Sequence, residues 1–155
     1  MKVSEGVLSA FVHAFVFSIV VISVLAFIIN YRLLIGPVLI CLAFLPWLPI
    51  KFSGRKIKST AADIVFGVID TGILTIAALI GANFAGVLGA IVGGAAGDAI
   101  TDSFAGIFEG RVAIWLRKKG IKEARTPLSS AMGKMSGCLF GVGIVLTIAW
   151  SLLVL

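Results

Sequence analysis

Residues 6–29 run without a single charged side chain, and four more long apolar runs follow, of which the first is also uncharged and the others carry one or two charges each. Further apolar runs cover 33–50, 61–81, 84–108 and 128–154. About 20 apolar residues suffice for a helix to cross a bilayer. A spanning segment must satisfy its own backbone hydrogen bonds, so the runs are read as helices. Hydrophobic residues make up 60% of the 155 and charged residues only 13%, where a soluble domain carries about 25%. Too little polar surface remains to cover a water-exposed globule. The fold class expected is an all-α polytopic integral membrane protein forming one transmembrane domain of about five helices, with the lipid bilayer as its surroundings.

The first run is too long for the apolar region of a secretory signal, which is about 7–15 residues, and no A-x-A pattern follows it. It is read as a retained helix. The second run contains Pro37, Pro46 and Pro49, which predict a kink or break near its end. Tight turns are expected at 30–32 and at Gly81, Ala82 and Asn83.

Net charge +6 invites a nucleic-acid reading, but the basic residues sit where topology signals belong. Lys51, Arg55, Lys56 and Lys58 form one cluster, in a loop at 51–59. Arg111, Arg117, Lys118, Lys119, Lys122 and Arg125 form another, in a loop at 110–127, and Lys2 precedes the first run. Only Arg32 and Lys134 remain of the thirteen basic residues. With five spans both clusters fall on one side, so the N-terminus and the basic loops are expected to be cytoplasmic, in a plasma membrane. Nucleic acid is not expected as a partner. Cys41 and Cys138 lie in apolar runs without metal-ligand spacing and read as small packers.

Five of the seven acidic residues, Asp63, Asp70, Asp98, Asp102 and Glu109, lie in the third and fourth runs or at their edge. A carboxylate at the bilayer centre costs at least about 2.5–3.5 kcal/mol, so such residues mark function by default. Asp63 and Asp70 are seven apart and share a helix face, as do Asp98, Asp102 and Glu109. Folding the two runs back on each other near residue 82 sets Asp63 level with Asp102 and Asp70 level with Asp98. Like charges so close require protons or a cation between them. Oxygen-only ligands suit Fe²⁺, Mn²⁺ or Mg²⁺, and that ion is the expected substrate, with no organic cofactor. In this reading Asp70 and Asp98 form a midmembrane site, while Asp63, Asp102 and Glu109 form a cytoplasmic vestibule.

Met132 and Met135 can add softer ligands or simply pack. Lys134 can neutralise a carboxylate. His13 can relay protons or bond across a helix interface. Trp47, Trp115 and Trp150 sit near span ends as anchors. Gly89, Gly93 and Gly97, and again Gly133, Gly137 and Gly141, have the spacing that lets helix backbones approach, within one copy or in a homodimer or higher homo-oligomer.

The stretch Asp63-Ile64-Val65-Phe66-Gly67-Val68-Ile69-Asp70-Thr71-Gly72-Ile73-Leu74-Thr75 resembles the first helix of vacuolar iron transporter-like proteins, which carry an Asp-Gly-x-x-Thr-type motif. The resemblance is confined to 61–110. It implies a dimer of five-span protomers moving Fe²⁺ or Mn²⁺ against protons. It also implies that Asp70 takes the part of the family's first-helix Asp, and Asp98 or Asp102 that of its second-helix acid.

Two other functions are compatible with the same residues. Gly94-x-x-x-Asp98-x-x-x-Asp102 is similar to the last half of the CDP-alcohol phosphotransferase motif, a membrane enzyme, but the Arg-containing first half is missing. A structural or assembly protein would instead pair its carboxylates with a partner's basic residues.

Overall fold

The computed structural model describes residues 2–30, 34–120 and 126–153; side chains at 2–5, 105, 106, 108–110, 112, 113, 116 and 153 lie outside the description. Every regular element among the described residues is helical. Four stretches are long and apolar enough to cross a membrane, at 6–30, 35–52, 57–104 and 127–152. Their outer surfaces match that setting. Phe11, Phe84 and Val87 are 70%, 87% and 79% exposed, which water would not tolerate over so wide an area. By length and composition this is an integral membrane protein.

Helix α1 is Lys2–Asn30, about 44 Å long at the α-helical rise. The next run is split, as its prolines predict, into α2 (Ile35–Leu42) and α3 (Trp47–Phe52). Pro37 and Pro49 each fall in a first turn, where a missing N–H is harmless, and Pro46 caps α3. A short 3-10 turn at Ile57–Thr60 leads into α4, Ala61–Lys118.

Helix α4 is two arms of a hairpin rather than one rod. The backbone leaves helical geometry at Ala85 (φ −142°, ψ 25°) and Gly86 (φ 57°, ψ −135°). A side chain would strain Gly86 at that φ, whereas glycine adopts it freely. The turn expected at Gly81, Ala82 and Asn83 is therefore misplaced by several residues. Gly81 remains helical and serves packing instead. A Cβ on Gly81 or Gly89 would run into the carbonyl of the other, and Gly93 meets Ala77 as closely.

The second arm also extends past the expected boundary at 108. Helix continues to Lys118, through half of what was read as the loop 110–127. Arg and Lys are good helix formers, so charge alone does not end a helix. Gly120, at φ +71°, does so.

Helix α5 (Pro127–Leu153) begins with Pro127 at its first position, which suits a residue lacking an N–H. Thr126 and Ser129 cap it reciprocally: the Ser129 N–H donates to Thr126 Oγ1 (3.3 Å) and the Thr126 N–H to Ser129 Oγ (3.0 Å).

Helix α5 is the hub of the bundle. Gly133, Gly137 and Gly141 face the first arm of α4, against Asp63, Gly67 and Val68, while Gly143 faces Gly36 and Ile40 on α2. Trp47 ties α3 to this hub. Its Nε1 donates to Ser136 Oγ (2.8 Å), which donates to the Ala43 carbonyl (2.7 Å). Trp47 is thus held inside the bundle rather than standing as an interfacial anchor, and Trp115 and Trp150 are each 51% exposed.

Candidate cation site between the hairpin arms

The turn at Gly86 sets the register of everything below it. Gly81 meets Gly89, Gly93 meets Ala77, and Gly97 meets Ile73 and Leu74. The same register brings Asp70 opposite Thr101, not opposite Asp98 as expected. Seven residues earlier on the first arm, Asp63 comes level with residue 108 rather than with Asp102. Placing the turn at Gly86 lengthens the first arm, so its residues meet later positions on the second, Asp70 by three residues and Asp63 by six.

Asp70 is half-buried and Thr101 is buried. The Thr101 hydroxyl donates to Asp70 Oδ1 across the arms. It also lies within hydrogen-bonding reach of two carbonyls of its own helix, Gly97 (3.2 Å) and Asp98 (2.9 Å). A hydroxyl has one proton to give, so these are alternatives. An ionised Asp70 accepts it; a protonated Asp70 can instead donate to Thr101, freeing the hydroxyl for its own helix. Beside them lie Thr71 and, on α5, the half-buried Cys138. A cleft of about 310 Å³ opens here, lined by Phe66, Ile69, Asp70, Ile73, Thr101 and Phe104 among others.

Asp98 and Asp102 are exposed, one helical turn apart on the outer side of the second arm. They flank Thr101 in sequence but do not enter the packed core. Asp63 is turned elsewhere. It is 1% exposed, lies in the first turn of α4, and accepts a hydrogen bond from Ser130 Oγ on α5 (3.0 Å), with Gly133 leaving room for it. The positive end of a helix favours a carboxylate in its first turn. Asp63 therefore belongs to the α4–α5 contact, not to a stack facing the second arm. The side chain of Glu109 lies outside the described residues. Among the described residues, no three His, Cys, Asp or Glu side chains gather as a metal-binding group.

The accessory candidates separate too. Met132 is fully buried against Ala10, Ile50 and Leu128, and Met135 packs on the cluster of Leu39, Leu42, Ala43 and Leu139. Both have the surroundings of packing residues. His13 bonds the Ser9 carbonyl through Nδ1 (2.7 Å) and faces a separate pocket with Phe17, Leu48 and Phe52. Lys134 is exposed, its Nζ 4.8 Å from the centre of the Phe66 ring.

Thr101 is the residue that sequence reasoning missed. Its signal was present, a hydroxyl between two acids in an apolar helix, where Ser and Thr commonly bond to a neighbouring helix. No family model, curated protein or solved structure matches this chain, so its own geometry carries the functional reading.

Proposed function

We propose that the protein carries a divalent cation, of the Fe²⁺, Mn²⁺ or Mg²⁺ type, across a membrane in exchange for protons. The observation that carries this reading is the half-buried Asp70 bonded to Thr101 between two membrane-spanning arms, with Asp98 and Asp102 three residues and one residue away from that threonine. Asp70 is nine residues into α4, about 14 Å along it, near the middle of a hydrocarbon core about 30 Å thick. A carboxylate at that depth is retained for function by default.

Counting the hairpin as two crossings gives five, with the N-terminus and both basic clusters on the cytoplasmic side and the Gly86 turn on the far side. The plasma membrane of a cell is the natural setting for that polarity. Glu109 then lies toward the cytoplasmic end, where negative charge concentrates cations.

One copy supplies an incomplete ligand set, because Asp98 and Asp102 face outward. A second copy packed on that face would bring in its own pair and remove both from lipid. A homodimer sharing the ion is the arrangement this face supports, and it agrees with the resemblance noted for residues 61–110. Proton coupling follows from the alternative bonds of Thr101: protonating Asp70 removes its negative charge and turns it from acceptor to donor, which releases the metal.

The exposed acid pair also favours a second reading, an assembly subunit docking a partner's basic residues. Purified protein in liposomes separates the two. A carrier moves Mn²⁺ or Fe²⁺ unaided, and Asp70→Asn abolishes the flux while the protein remains folded. Unchanged flux in that variant removes the site assignment, and no flux in the wild type leaves the assembly reading.

A further inference from the structure

The end of the second arm presents a feature that cation transport does not use. Arg111, Ile114, Trp115 and Lys118 are all exposed and together line a surface pocket of about 310 Å³. Their spacing of three, four and seven residues places them on one stripe of the helix. Lys119 Nζ lies 4.0 Å from the centre of the Trp115 ring, so one cation already fixes the indole while the other two flank the pocket.

The position of this stripe along the arm selects its ligand. From 87 to 118 the arm extends about 48 Å, well beyond a hydrocarbon core of about 30 Å. In the register that sets Asp70 against Thr101, the first residue of α4, Ala61, lies level with residue 110, so the inner edge of the core falls near residue 110. Arg111 then lies at that edge, Trp115 about 7 Å beyond it at headgroup depth, and Lys118 about 12 Å beyond it, with a side chain long enough to reach back. Two cations and a ring-bound third surround an indole at the level where anionic phosphates are densest. Tryptophan favours that level, with its apolar body toward the acyl chains.

We infer that Arg111, Trp115 and Lys118 form a binding site for the phosphate headgroup of an anionic phospholipid in the cytoplasmic leaflet. Arg111 and Lys118 hold the phosphate oxygens, Ile114 and the indole meet the glycerol and upper acyl chain, and Lys119 keeps the ring in place. Such a lipid would anchor the second arm, and with it the register that sets Thr101 against Asp70. The site needs only the membrane placement of the proposed reading, not ion transport.

The test is native mass spectrometry of delipidated protein titrated with phosphatidylglycerol or phosphatidylcholine. Wild-type protein should prefer phosphatidylglycerol by about thirty-fold, the worth of two juxtamembrane cations. The Arg111→Gln/Lys118→Gln variant should bind both lipids alike, and Lys118→Gln alone should fall between. Lys56→Gln, a change in the other basic cluster, should keep the full preference. Equal binding of the two lipids by the wild type overturns the site, as does an undiminished preference in the double variant. Displacement of the lipid by 10 mM inorganic phosphate would show an anion site without lipid selectivity and would also overturn it. Flotation with phosphatidylcholine vesicles checks membrane insertion separately, so failure of the placement is told apart from failure of the site.

Discussion

Replacing Thr101 by valine tests the contact on which the hairpin site depends. The two side chains are nearly the same shape, so the change removes one hydroxyl and little packing. Three oxygens lie around that hydroxyl, Asp70 Oδ1 and the carbonyls of Gly97 and Asp98. The carbonyls keep their helical N–H partners and lose almost nothing. Asp70 loses a donor in a half-buried position between two arms. Hydrogen bonds between membrane helices average about 0.6 kcal/mol and reach about 1.7, whereas those to charged groups are worth about 1.5–3. We therefore expect Thr101→Val to destabilise the hairpin by about 1–2 kcal/mol. A double-mutant cycle with Asp70→Ala, read by unfolding in mixed micelles, should return a coupling of about 1 kcal/mol or more. Additivity within about 0.3–0.5 kcal/mol would mean that the two side chains do not interact, and the reasoning about Asp70 would fail with it.

Other consequences can be checked in parallel. Gly86→Ala should cost about 1–3 kcal/mol in the same assay, because alanine must adopt φ 57° with ψ −135°, a region that essentially only glycine occupies; Gly54→Ala would not discriminate, since it strains a loop outside the hairpin. Gly89→Leu should separate the arms and abolish the crosslink between cysteines placed at 78 and 94, where a Cβ on Gly94 would stand 3.6 Å from that of Ala78, since the leucine side chain would occupy the space of the Gly81 carbonyl. Met132→Leu should leave the choice among Fe²⁺, Mn²⁺ and Mg²⁺ unchanged in liposome flux, because Met132 sits in an apolar cluster away from Asp70; a shift in selectivity would restore it as a ligand.

Much of the architecture was legible in the sequence because lipid leaves few alternatives. Long apolar runs have to be helices, the prolines at 37, 46 and 49 break the second run where expected, and both glycine stripes meet another helix closely. The location of the hairpin turn was not legible. Glycines stand at both 81 and 86, and either can turn a chain. The choice between them is made by packing, since a glycine at 81 is needed to let 89 approach. That choice shifts the register and separates Asp63 from Asp102. The orientation of Asp63 was equally hidden. Its heptad spacing from Asp70 placed both on one face, but Ser130 and Gly133 on α5 take up Asp63 through a contact 67 residues distant in sequence. The segment 111–118 is helix where its charge suggests a loop, because Arg and Lys have high helix propensity.

Crystals grown with Mn²⁺ offer the most direct measurement, through the anomalous scattering of the ion. Our account predicts a peak at Asp70, bordered by Thr101 and by the Asp98 and Asp102 carboxylates of neighbouring copies. A fully occupied Mn²⁺ peak elsewhere, or none at millimolar ion with the arms in this register, would contradict it.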